Sequence, residues 1–133
     1  MLERIQLRSA LKEVLMDITA DVQKAVERLK CRDGLCVVFT PHTTAAITIN
    51  ENADPSVVRD LLYGLRRIVP ETGYQHGEGN SPSHIKSSLV GCSEQILVEN
   101  GRLALGTWQG IYFCEFDGPR ERQVYVKTVS HLP

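Results

Sequence analysis

Between Glu94 and Val129, short runs of β-branched, aromatic and aliphatic residues alternate with two turn signals, Asn100-Gly101 and Asp117-Gly118. Two residues suffice to reverse a strand and are far too few for the crossover that a parallel pair needs, so this third of the chain is confined to antiparallel pairing. The pattern predicts strands at residues 96–98, 103–105, 111–116 and 123–129, arranged as a meander. Residues 2–16 show the same two-residue alternation, with Ile5 and Leu7 set against Arg4, Gln6 and Arg8. They read as strands with one wet face. Residues 35–40 and 44–50, rich in Val, Phe, Ile and Thr, add two more strands on either side of Pro41-His42.

The period changes at three places. After Asp17, the residues Ile18, Val22, Val26 and Leu29 fall at helical spacing, with Asp17 or Thr19 as cap and Gly34 beyond the end. Asp54-Pro55 joins an acceptor for free backbone N–H groups to a first-turn proline, and opens a helix whose buried face is Val58, Leu61, Leu62, Leu65 and Ile68. Ser81-Pro82 repeats that signal for a short helix through about Leu89, ending at Gly91 and carrying His84 in its first turn. Residues 71–83 between the last two helices form a glycine-rich loop. Helices inserted among antiparallel strands define the α+β class.

With 133 residues the chain fits one domain, 1–133. Its longest apolar run is Leu35 to Phe39, too short to span a bilayer. Fifteen Lys and Arg against sixteen Asp and Glu leave a net charge of −1, so no global field recruits nucleic acid or an anionic membrane. Charged residues among the first five positions occupy the place of a signal peptide's apolar segment, and a cytoplasmic location is expected. The four cysteines, Cys31, Cys36, Cys92 and Cys114, contain no C-x-x-C pair and are expected to be ordinary reduced thiols.

Chemistry concentrates in the turns. His42, His76 and His84 sit in polar, turn-rich settings, and glycines around His76 let that loop fold back toward His84. Three imidazoles and a water would suit a divalent metal, zinc first, although each histidine could equally be a surface or hydrogen-bonded residue. Glu51 is a candidate general base or simply a carboxylate preceding the Asp54 helix. It lies nine positions from His42. On one unbroken strand that puts the two on opposite faces, up to about 30 Å apart at ~3.3 Å per residue. Only a bend or a second subunit could bring them together. Lys86 and Ser87, with Ser81, Ser83 and Ser88, surround a helix start that could bind phosphate or merely cap itself. Arg120 and Arg122 could clamp a phosphate or form surface ion pairs. Trp108-Gln109 offers a stacking face and an amide, or fills the core beneath a bulge.

HTTAAITINENADPSVVRDL at 42–61, HGEGNSPSHIKSSLVG at 76–91, GRLALGTWQGIYFCEFDGPRERQVYV at 101–126 and DIT at 17–19 resemble the small YjbQ-type (UPF0047) proteins, also called secondary thiamine-phosphate synthase enzymes. The resemblance covers nearly the whole chain. It implies an α+β fold of orthogonally packed antiparallel sheets associated as a homotrimer, in which His42 and Glu51 could meet across a subunit boundary. It also implies weak thiamine-phosphate synthase activity, joining a pyrimidine pyrophosphate to a thiazole phosphate. On that reading His42, His76 and His84 hold the metal, Lys86, Ser87 and Arg120 contact phosphate, Glu51 and Gln109 are catalytic, and Trp108 packs on a ring. Pyrophosphate chemistry favours magnesium on oxygen ligands, which three imidazoles fit poorly. The rivals are a hydrolase using a histidine-bound water and a non-catalytic trimer that binds a metal or an anion.

Overall fold

The computed structural model describes residues 1–131. Two antiparallel sheets and three helices make up one α+β fold. The strands are β1 (Glu3–Arg8), β2 (Val14–Asp17), β3 (Asp33–Phe39), β4 (Ala45–Glu51), β5 (Ser93–Glu99), β6 (Arg102–Leu103), β7 (Gln109–Glu115) and β8 (Glu121–Ser130). The helices are α1 (Thr19–Arg28), α2 (Pro55–Ile68) and α3 (Ser81–Val90). The large sheet has the order β1-β8-β3-β5-β6 and the small sheet β2-β7-β4.

The small sheet is covered on both faces. On one side Ala45, Ile47, Ile111 and Phe113 join Val22, Ala25 and Val26 of α1 and Cys36, Val38, Val98, Val124 and Val126 of the large sheet in the main core. On the other, Ala46, Tyr112, Cys114 and Phe116 meet Val58, Leu61, Leu62 and Leu65 of α2 and Val90 of α3. Successive residues of β7 therefore serve opposite cores, which is why Ile111 to Cys114 is apolar without alternation.

Capping follows the local chemistry only in part. The N-cap of α1 is Ile18, which makes no side-chain cap bond, and not Asp17 or Thr19, although Asp17 Oδ1 just ahead of it accepts from the Thr19 amide at 2.9 Å. Asp54 accepts from the Ser56 amide at 2.9 Å with Pro55 behind it. The start of α3 differs from the sequence expectation, since its N-cap is Asn80 and Ser81 is already helical. Ile68 also departs from expectation. It is the last residue of α2, is exposed, and does not join Val58, Leu61, Leu62 and Leu65 against the small sheet.

The expected meander is broken. Asn100 and Gly101 both have positive φ, and the turn joins β5 to β6 as anticipated. β6 then ends at Leu103, and the chain crosses to the small sheet to form β7 before returning as β8. A period of two reports which way a side chain points and not which sheet receives it, so the sheet switch was invisible. All four cysteines are free thiols. No helix among the described residues is long and apolar enough to cross a membrane.

Candidate functional site

Strand β4 carries chemistry at both ends. At its start, the β3–β4 turn presents His42 and Thr43. Its Nε2 accepts the Gln123 amide of β8 at 2.9 Å. Burial and then the Arg122 cation push the His42 imidazole below its ordinary pKa, favouring the neutral ring.

The turn is held by a buried ion pair that sequence reasoning missed. Arg122 donates through Nε to Glu115 Oε1 at 2.9 Å and through Nη2 to Glu115 Oε2. The same Nη2 reaches Thr44 Oγ1 at 3.0 Å and the Thr44 carbonyl at 3.3 Å. Glu115 also accepts from Ser9 Oγ at 2.6 Å and from the Asp117 amide at 3.0 Å. Burial raises the Glu115 pKa, but these four donors outweigh it and hold the carboxyl below its ordinary value. The only signal in the sequence was an acidic residue closing an apolar strand. Arg122 is thus a buried structural cation and not a phosphate clamp.

Helix α3 brings the next histidine alongside. Ser83 Oγ donates to the Phe116 carbonyl at 2.7 Å and Ser87 Oγ to the Ala45 carbonyl at 2.5 Å, so two hydroxyls four residues apart fasten one face of α3 to the small sheet. His84 and His76 then stand edge to face, their ring centroids 5.3 Å apart at 87°. His76 is placed by a tight turn closed between the Gly79 amide and the His76 carbonyl. His84, Thr43, Ser87, Ser88, Gly91 and Cys92 line one open cleft of about 460 Å³.

Two expected phosphate ligands are otherwise engaged. Lys86 is buried with its Nζ on Glu13 Oε2 and 4.0 Å from Glu71, so its charge is already neutralised. The Ser87 hydroxyl is spent on Ala45. Arg120 is half exposed, braced by Asp117 through its carbonyl at 2.9 Å and its carboxylate at 3.0 Å. Asn80 Nδ2 donates to that same Asp117 carboxylate, which ties the start of α3 to the arginine.

The far end of β4 gathers the remaining candidates. Glu51 is paired across the ladder with Gln109. The Gln109 carboxamide oxygen accepts from the Gly106 amide at 2.8 Å. Trp108 is 64% exposed, its carbonyl holding the Asn52 amide at 3.0 Å, so the indole is free to meet a guest or another chain and does not fill a core. Tyr112 donates to the Glu51 carbonyl at 3.0 Å. Burial, then the Asp17 and Glu51 carboxylates, raise its phenol pKa. Six residue steps of β4 separate the two ends, about 20 Å at ~3.3 Å per step. His42 and Glu51 do not meet within one chain.

A three-imidazole metal centre does not fit a single chain either. Among the described residues no group of three or more His, Cys, Asp or Glu side chains could hold a metal ion. His76 and His84 form a pair, and the available lone pair of neutral His42 is used on Gln123.

These features define a two-sheet α+β domain with a cleft lined by His84 at one end of its small sheet and a carboxylate, carboxamide and indole at the other. The chain belongs to the UPF0047 family of YjbQ-like proteins, whose model matches residues 3–131. It is 52% identical over 131 residues to the UPF0047 protein MJ1081 of Methanocaldococcus jannaschii, covering 98% of this chain and 95% of that protein. It is 48% identical to the UPF0047 protein YugU of Bacillus subtilis, covering 98% and 100%. Among solved structures it is similar to a YjbQ/UPF0047 family protein from Clostridium acetobutylicum, with 56% identity, TM-score 0.93 and coverage of 96% and 99%. It is also similar to a YbjQ-like protein of unknown function from Sulfolobus solfataricus, with 30% identity, TM-score 0.93 and coverage of 98% and 97%.

Proposed function

We propose that the chain is one subunit of a homotrimeric enzyme acting on a small phosphorylated substrate, each site joining the histidine end of one subunit to the Glu51–Gln109–Trp108 end of the next. The placement of two half-sites at opposite ends of β4 carries this reading, because neither half alone holds a complete set of catalytic groups. The outer face of the large sheet supports association. Its register aligns Leu97, Leu35 and Val129 in one row, with Leu97 and Val129 exposed.

In the composite site His42 and Arg120 would hold phosphate oxygens, the Trp108 indole would cover a heteroaromatic ring, and Glu51 would accept or orient a proton. Thiamine-phosphate synthesis, the reaction implied by the family resemblance, makes these demands. A C–O bond to the departing pyrophosphate breaks and a C–N bond to the thiazole nitrogen forms. A divalent ion enters this reading only as a guest of His76 and His84 completed by groups from outside the chain, zinc rather than magnesium on imidazole ligands, and no step is assigned to it.

Mixed trimers test the proposal. H84A and E51Q are each expected to lose thiamine-phosphate formation, while co-expressed chains regain about a quarter of wild-type activity, the share of interfaces pairing two intact halves in a random threefold ring. Trimers that mix without any recovery, or a monomer in solution, would refute it.

A further inference from the structure

The hydrogen bonding around His42 fixes which of its nitrogens is left free and what that nitrogen can do. A neutral imidazole has one lone pair in its plane and one N–H. The Gln123 amide donates to Nε2 at 2.9 Å, so the lone pair lies there and the proton on Nδ1. Nδ1 has no hydrogen-bond partner among the described residues and is not among their buried unpartnered atoms, so it is open to solvent. Thr43, the next residue, lines the cleft shared with His84.

The arrangement is braced from both sides. Gln123 supplies the amide, and Arg122, its chain neighbour, grips Thr44, two residues beyond His42, while being held by Glu115. The ring and its partner are thus set by one buried pair. The charged groups nearest the ring are Arg122, Arg120 and Glu115, two cations and one anion, so an acceptor with negative charge suits this position.

We propose that His42 is a fixed hydrogen-bond donor and not a metal ligand, presenting Nδ1–H to an oxygen of a phosphate-bearing guest, with Arg122 and Glu115 as its positioning residues. This rests on the phosphorylated-substrate reading of the histidine end, and it reverses the metal-ligand role expected of His42 from its residue type and family resemblance. Binding a metal through Nδ1 would require the proton to move to Nε2, where it would confront the Gln123 N–H.

Long-range proton–nitrogen correlation spectra of the ¹⁵N-labelled wild-type protein provide the test, since they distinguish the two tautomers without any turnover assay. His42 is expected to be Nδ1–H, to keep that form when Zn²⁺ is added to saturation, and to shift when inorganic phosphate is added. An Nε2–H tautomer in the free protein, loss of the ring proton on adding Zn²⁺, or phosphate binding that leaves the His42 signals unmoved would each overturn the proposal. H42N keeps an N–H donor near the Nδ1 position, while H42Q offers an acceptor near Nε2 without that donor. H42Q is expected to weaken phosphate binding about tenfold or more, as for a lost hydrogen bond to a charged group, and H42N to restore part of it. Equal losses in both variants would count against the donor role. Failure of subunit mixing would refute the composite site and leave the tautomer measurement standing.

Discussion

Replacing Arg122 with methionine removes the cation from a carboxylate that has nowhere else to turn. Glu115 is fully buried, and without Arg122 it retains only the Ser9 hydroxyl and the Asp117 amide. Removing one partner of a buried ion pair typically costs about 3–5 kcal/mol, because the remaining charge stays desolvated. For a domain of this size each kcal/mol is worth about 3–4 °C, so Tm should fall by about 10–20 °C. The double variant R122M/E115Q removes the stranded charge and should recover part of the loss, leaving a coupling of about 2 kcal/mol or more between the sites. The Thr44 contacts stay lost in both, so recovery is incomplete. Urea and thermal melts followed by circular dichroism compare four proteins, the wild type, R122M, E115Q and the double variant. A single-variant cost below about 1 kcal/mol, or a double equal to the sum of the singles, would refute the reasoning.

Glu115 has a lowered folded-state pKa, so its contribution is present above its ordinary value of 4.5 and is lost as pH falls through the lower folded value; melts below pH 4.5 should flatten in E115Q relative to wild type. Burial pushes the Cys36 and Cys114 thiols up to about 12 and Cys31 is also buried, so one thiol per native chain, Cys92, should react with a disulfide reagent at neutral pH, and four after denaturation. A Cβ on Gly34 would stand 2.1 Å from the Val129 carbonyl oxygen, so G34A should lower the urea midpoint by the equivalent of about 1–3 kcal/mol. Gly64, in α2, meets nothing within 4 Å, and G64A should instead stabilise by about 0.5–1 kcal/mol.

Local signals carried most of the fold. Asp54-Pro55, the spacing of Val22 and Val26, and Asn100-Gly101 each encode their structure within a few residues, and each is found where expected. The failures are long-range. Nothing near β7 says that it leaves its neighbours' sheet, and nothing near Ser87 or Lys86 says that their polar atoms are claimed by Ala45 and Glu13, 42 and 73 positions away. The histidine pair was legible because glycines flank His76, whereas the role of His42 depends on an amide 81 positions distant. The separation of His42 from Glu51 was also anticipated, but through strand parity, whereas His42 lies in the turn before β4 and it is the length of that strand that holds the two apart.

Strand β7 runs from Gln109, paired with Glu51, to Glu115, which holds Arg122 behind the His42 turn, and it is flanked on both edges and shielded on both faces. Its central amides should therefore be among the last to trade hydrogen for deuterium, doing so only when the whole molecule opens. A residue inserted into this strand would throw Gln109 and Glu115 out of alignment at once and turn the side chains between them to the wrong core.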